Sequence, residues 1–398
     1  MSKMVMFCGG NVADVRTGKI REGLDVLCAD GKIKAVGKGL TGDGAEKIDC
    51  RGKFVMPGVI DAHVHITWDG SSDPVGLDER EGVYQAMVRG LNHARDSLKA
   101  GVTTVRDTGS MGDVAVEVAY AIQKGYAKGC RIVPCGASIQ SIYGHVPNIG
   151  VIADTDGELI REIREKKLLL TEKEISCQWI KIMATGGAAG MEEVGPSMYS
   201  QEQLQLIVGE AHRLHMKVAA HAVSREGIVE CIKAGIDTIE HGADIPDEYL
   251  RMMKDKGLTL VPTLAIYKVL AESYGIVPDR MVAKSKAVTE NQKSTFARAR
   301  EMGVRIALGT DSGSPNFGPQ PAAFQEMLTM EEYGMPSAEV IRSATLTAAE
   351  VLGLEEQIGS LDEGKTADVL ILSENPYEKL QAFTEALEAV YQAGVLVD

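Results

Sequence analysis

The chain has 398 residues, 44% of them hydrophobic and 25% charged, a composition with ample apolar material for a large globular core. Its net charge of −14 leaves no basic face for phosphate backbones, so no nucleic-acid partner is expected. Seven cysteines, an odd number without a C-x-x-C pair, argue against a disulfide framework and for a reducing compartment.

The apolar part of the N-terminal run 1–10 is too short for a secretory signal. No stretch reaches the ~18 apolar residues of a membrane span, so a cytoplasmic protein without a membrane partner is expected. The first residues read as short strands, at 25–28, 32–36 and 46–49, separated by turns such as Asp30-Gly31 and Gly42-Asp43-Gly44. After Phe54-Val55-Met56-Pro57-Gly58 the text changes. Apolar strands are predicted at 59–66, 102–107, 131–136, 179–184, 217–223, 238–241, 258–263 and 305–309. Helical patterns lie between most of them, at 79–99, 114–128, 157–173, 201–215, 225–233, 247–256 and 279–302. Such alternation builds a parallel sheet, because each crossover needs room for a helix. Eight repeats predict an α/β fold closed as a (β/α)8 TIM barrel, with a doubly wound open sheet as the alternative. Two further helices are expected at 320–333 and 337–352. The tail opens on the turn-rich run 358–365 and returns to a strand at 367–372. The predicted organisation is therefore a barrel over 58–357 and a small β-sandwich domain built from both chain ends, 1–57 and 358–398.

The first long apolar strand contains His63-Val64-His65. Alternate residues on a strand share a face, so both imidazoles point one way, at the end where barrel strands open onto an active site. Two imidazoles held together suit a metal, although paired strand histidines are also used structurally. Lys181 sits in the apolar run Trp179-Ile180-Lys181-Ile182-Met183-Ala184. Burial of a lysine is costly and leaves a neutral amine able to take up carbon dioxide as a carbamate, whose two oxygens can bridge two cations. The alternative is a strand-end lysine reaching to solvent. His221, His241 and Asp311 each follow a predicted strand, the fifth, sixth and eighth. Four histidines, a lysine and an aspartate all placed at strand ends point to one metal-binding mouth.

This set resembles that of the amidohydrolase superfamily. The surrounding text is similar too, in Met56-Pro57-Gly58-Val59-Ile60-Asp61-Ala62-His63-Val64-His65, in Ile239-Glu240-His241-Gly242, in Gly309-Thr310-Asp311 and in the tail 359–368. Within the superfamily the chain looks closest to imidazolonepropionase-like enzymes, including prolidase-type (Xaa-Pro) dipeptidases and ochratoxin-type amidases. The resemblance implies a binuclear metal-dependent hydrolase. His63, His65 and Asp311 would bind one metal, His221 and His241 the other, and carboxylated Lys181 would bridge them. A bridging hydroxide would attack an amide or peptide bond in a dipeptide or N-acyl amino acid, with Asp311 shuttling the proton. Mixed nitrogen and oxygen ligands suit two Zn²⁺ ions, with Mn²⁺, Fe²⁺ and Co²⁺ as alternatives.

His145, in Ser141-Ile142-Tyr143-Gly144-His145-Val146-Pro147, matches a loop histidine that meets the substrate carbonyl in prolidase-like proteins. Tyr267 and Arg225 are further candidates to line the pocket, Arg225 through a bidentate grip on a substrate carboxylate. Glu240 adjoins a ligand but is expected on the opposite face of its strand. Val223 departs from relatives that carry Tyr or His there, so a relative's substrate preference does not transfer. A deaminase or a cyclic-amide, lactone or organophosphate hydrolase on the same barrel is the alternative. Single-metal deaminases typically lack the strand-four lysine and have Glu where this chain has Ser224. A non-catalytic scaffold is the remote alternative, against which all six ligands stand. A homo-oligomer is expected, as for many barrel enzymes of this type.

Overall fold

The computed structural model of the protein describes residues 4–146 and 149–398. Both chain ends enter one eight-stranded sheet. Val5–Asp14 runs antiparallel to Lys19–Ala29 and parallel to both Glu46–Asp49 and Phe54–Pro57. From the far end of the chain, Val369–Leu372 pairs antiparallel with Phe54–Pro57 and with Leu387–Gln392. Alternation along these strands puts Phe7, Val26, Ile33, Val55, Val369 and Ile371 into a shared core, where the Phe7 ring meets Tyr391 edge-on at 4.8 Å.

Lys32–Gly37 and Val395–Leu396 complete the eight-stranded sheet by antiparallel pairing, and the strands outside it are parallel. Val59–Val64, Val102–Asp107 and Arg131–Pro134 form one sheet. Ser138–Gln140, Trp179–Met183, Lys217–Ala222, Thr238–His241, Thr259–Val261 and Arg305–Ile306 run side by side in a second, which Gly150–Ile152 extends at its edge. Backbone hydrogen bonds join the two at one side, Ala62 N to Leu308 O at 2.9 Å and Thr310 N to His63 O at 3.1 Å. At the other side the chain itself leads from Arg131–Pro134 into Ser138–Gln140, where Ile139 pairs with Ile182.

The helices Asp247–Lys256 and Asp279–Met302 match their periodic runs. The run 79–99 is instead two helices, Pro74–Glu81 and Val83–Lys99, broken at Gly82, whose φ of 80° is left-handed. The run 337–352 is also two, Ser337–Ser343 and Leu346–Leu352. The helix expected at 320–333 starts only at Ala323, beyond Pro319 and Pro321. The strand expected at 258–263 stops at Val261, because Pro262 has no N–H to donate and Thr263 turns left-handed with φ 47°. An unforeseen helix, Leu264–Glu272, starts there. The strand expected at 305–309 is regular only over Arg305–Ile306.

Candidate metal centre

The parallel strands deliver their terminal side chains to one cavity. His63, His65, Lys181, His221, His241 and Asp311 all line it, together with His145 and Tyr267. The His145 motif was read through Pro147, which lies outside the described residues. All four strand-end histidines are buried, and Lys181 is only 1% exposed, which removes the solvent-reaching alternative for it. Burial pushes the Lys181 amine below its ordinary pKa. Most of the rest of the wall is apolar, including Trp68, Ile149, Met183, Ile266 and Leu270.

Two ligand candidates enter the cavity by leaving the extended conformation. His241 has φ 70° and Asp311 φ 65°, values uncommon for residues with a side chain. Neighbours hold these turns: His241 Nδ1 lies 2.7 Å from Thr263 Oγ1, and the Asp311 N–H donates to His63 O at 2.7 Å. The turn at His241 brings two successive residues inward, which corrects the reading of Glu240. The Glu240 carboxylate is fully buried and accepts from His63 Nδ1 at 2.6 Å and from Arg106 Nη2 at 2.8 Å. Burial opposes its charge, but Arg106 and His63 outweigh that and hold its pKa far below the usual range. Arg106, also fully buried, donates to Ala62 O at 2.6 Å and lies over the Trp179 ring at 4.4 Å. The signal that singled out Lys181, a charge inside an apolar strand, also marks Arg106 in Val102–Asp107.

The ring nitrogens show what the cluster can hold. His63 Nδ1 must donate to a carboxylate, and His65 Nδ1 must donate to Gly109 O at 2.8 Å. In the neutral rings the Nε2 atoms therefore carry lone pairs. They face Asp311 Oδ1 at 3.5 and 3.2 Å, and buried His63 Nε2 has no hydrogen-bond partner. Acceptors facing acceptors are repulsive, and a cation among them resolves this. One ligand atom from each of His63, His241 and Asp311 lies within 4.8 Å of the others, so this trio fits a metal ion. His221 differs, since its Nε2 lies 3.2 Å from Gly186 O, which leaves Nδ1 as the lone-pair atom.

Of the substrate contacts read from sequence, His145 and Tyr267 reach the cavity and Arg225 does not. The Tyr267 ring lies 5.5 Å from that of His241, and burial pushes its phenol well above the ordinary pKa. Arg225 is exposed and its guanidinium is held by Asp244 at 2.9 and 3.1 Å. His93, within the helix Val83–Lys99, is buried and its Nδ1 meets Ile66 O at 2.9 Å. His212, on an exposed helix face, pairs with Asp237 at 2.8 Å. All seven cysteines are free. Among the described residues no helix is long and apolar enough to cross a membrane.

An α/β enzyme with a His/Asp cluster able to hold a metal is the class that fold and site define. The sequence profile of the Amidohydrolase family matches residues 54–398. The ochratoxinase of Aspergillus niger is 30% identical over 374 residues, spanning 86% of this chain and 75% of that protein. A Xaa-Pro dipeptidase solved with methionine in its active site superposes with a TM-score of 0.88 at 28% identity, covering 99% of both chains. A prolidase solved with N-methylphosphonate-L-proline gives 0.88 at 28% identity over 100% of both. The chain belongs to the amidohydrolase family and is a hydrolase acting on carbon–nitrogen bonds.

Proposed function

We propose that this protein is a two-metal amidohydrolase that cleaves the amide bond of a dipeptide or N-acyl amino acid. The observation that carries the reading is the convergence of His63 Nε2 and His65 Nε2 on Asp311 Oδ1, at 3.5 and 3.2 Å, in a buried cluster that His241 joins. These three would hold one cation, His221 and His241 a second, and a carbamate on Lys181 would link the two. Lys181 is suited to that role because burial favours its neutral amine. Bound Zn²⁺ would acidify a water and polarise the scissile carbonyl. Asp311, beside the His63 and His65 rings, would take the proton of the attacking water and pass it to the departing amine. His145 meets the substrate carbonyl, and Tyr267 walls the pocket.

The same reading takes the two parallel sheets as one (β/α)8 barrel over 58–357, supported by the hydrogen bonds of Ala62 and Thr310 across their edge. The small domain, 1–57 with 358–398, is read as a sandwich, supported by the bridge between Lys32 and Thr366 that links distant parts of its sheet. Seven free cysteines support a cytoplasmic location, and exposed Tyr84 and Val88, one helical turn apart, support a homo-oligomer. The small substrate is supported by the amino acid and the proline phosphonate named for the two solved relatives.

The test is a hydrolysis screen of zinc-loaded protein in bicarbonate against dipeptides and N-acyl amino acids, scored by released amine. Activity on one C-terminal class, abolished by Lys181→Ala, is the expected result. Silence across the panel with about two metals bound per chain sinks the dipeptidase assignment and directs the search to lactones, cyclic amides and phosphoesters.

A further inference from the structure

We infer that Glu192 is a positioning residue that fixes the ring of His145, within a loop shaped for that purpose. The part played by His145 in turnover rests on the amidase reading above, while its orientation rests on geometry alone. Glu192 is 6% exposed, and its Oε1 lies 2.5 Å from His145 Nδ1. The same oxygen accepts the Gly187 N–H at 3.0 Å. A carboxylate can only accept, so the His145 proton sits on Nδ1 and Nε2 is the atom left for a substrate. The opposite constraint on the ring comes from His221, stacked on it with centroids 4.5 Å apart.

The loop that carries Glu192 makes this fit possible. A Cβ on Gly187 would come within 2.5 Å of His145 Cε1, and one on Gly190 within 1.7 Å of Glu192 Oε2. Both positions are therefore closed to any larger residue while the pair holds its place. Lys284, on the helix Asp279–Met302, then clasps the loop from outside. Its ammonium donates to the carbonyl oxygens of Gly187 at 3.1 Å, Gly190 at 3.0 Å and Glu192 at 2.5 Å. Two separate chain segments, the loop with Glu192 and the strand with His221, thus meet one imidazole, and a third holds the loop. The sequence offers no local sign of it, because Glu192 is 47 residues from His145.

The test reads the tautomer directly, from ¹⁵N shifts of the histidine rings, with His145→Gln used to assign the signal. The expected result is an Nδ1–H ring at His145 in the native protein, lost in Glu192→Ala and kept in Glu192→Gln, whose Oε1 can accept both bonds. On a hydrolysed substrate, Glu192→Ala should lower kcat/KM by about 100-fold, the scale of a misplaced reacting group. The double variant with His145→Gln should be no slower than His145→Gln alone, and metal content should stay at the native level. An Nε2–H ring in the native protein overturns the inference, and so do additive losses in the double variant. If no substrate is turned over, the amidase reading falls and the ring signal alone decides the role of Glu192.

Discussion

At the scale of single residues, the cavity depends on buried charged groups whose uses differ. Lys181 and Arg106 carry the same mark in sequence, a cation inside an apolar strand, but only the fold separates their uses. Lys181 faces the cavity, whereas Arg106 reaches across to Glu240 and through it to His63. A carboxylate that holds a ligand imidazole tunes metal binding as strongly as many ligands do. Glu240→Gln is therefore expected to weaken zinc binding by about 10- to 100-fold, read by competition with a chromophoric chelator. Native affinity in that variant would remove Glu240 from the metal site. Arg225 carries the opposite expectation. Exposed and paired with Asp244, it should tolerate Arg225→Ala with a melting temperature and a hydrolysis rate close to the native ones. A steep rise in KM would instead return it to the substrate.

At the scale of elements, the pattern of apolar residues located most helices and most strands of the parallel sheets but not where they end, and it passed over the strands Val5–Asp14 and Leu387–Gln392 of the small sheet. Periodicity measures burial of a face, and it runs on through Gly82 and through residues 344–345 where the backbone does not. The helix Leu264–Glu272 escaped notice because its anchor is distant. Glu326 accepts the N–H groups of Leu264 and Ala265 at 2.8 and 2.7 Å, and so holds the helix that brings Ile266, Tyr267 and Leu270 to the cavity. Burial pushes the Glu326 carboxyl up to about 8 from an ordinary 4.5, against the pull of those two donors. The folded protein thus binds a proton that the unfolded chain releases above the ordinary value. That stabilisation is complete at the acid end and drains away as pH rises towards 8. Across this window Tm is expected to fall in metal-free protein, and Glu326→Gln should flatten the fall. An equal slope in both proteins would show that Glu326 titrates elsewhere.

At the scale of the whole molecule, the chain ends act as one structure with the parallel sheets. Arg131, on a parallel strand, donates to Asp368 Oδ2 at 3.1 Å, and Asp368 O accepts the N–H of Gly58 at 3.1 Å. Damage to the small sheet should therefore be felt in the unfolding of the whole. Phe7→Ala removes a fully buried ring and is expected to cost about 3–5 kcal/mol, lowering the temperature of a single calorimetric transition. A separate early transition, with the remainder unchanged, would show two independently folding units.

What the sequence determined by itself was the alternation of strands and helices and the identity of six candidate ligands, because both are written in local spacing and in residue chemistry. His63, His65, Lys181, His221, His241 and Asp311 all reach the one cavity. Tertiary structure alone decided the partners that aim them. Glu240 faces inward with His241 because the strand turns left-handed there, and Glu192 meets His145 because a clasped loop carries it across. Both depend on contacts between residues far apart in the chain, which local propensity and periodicity do not encode.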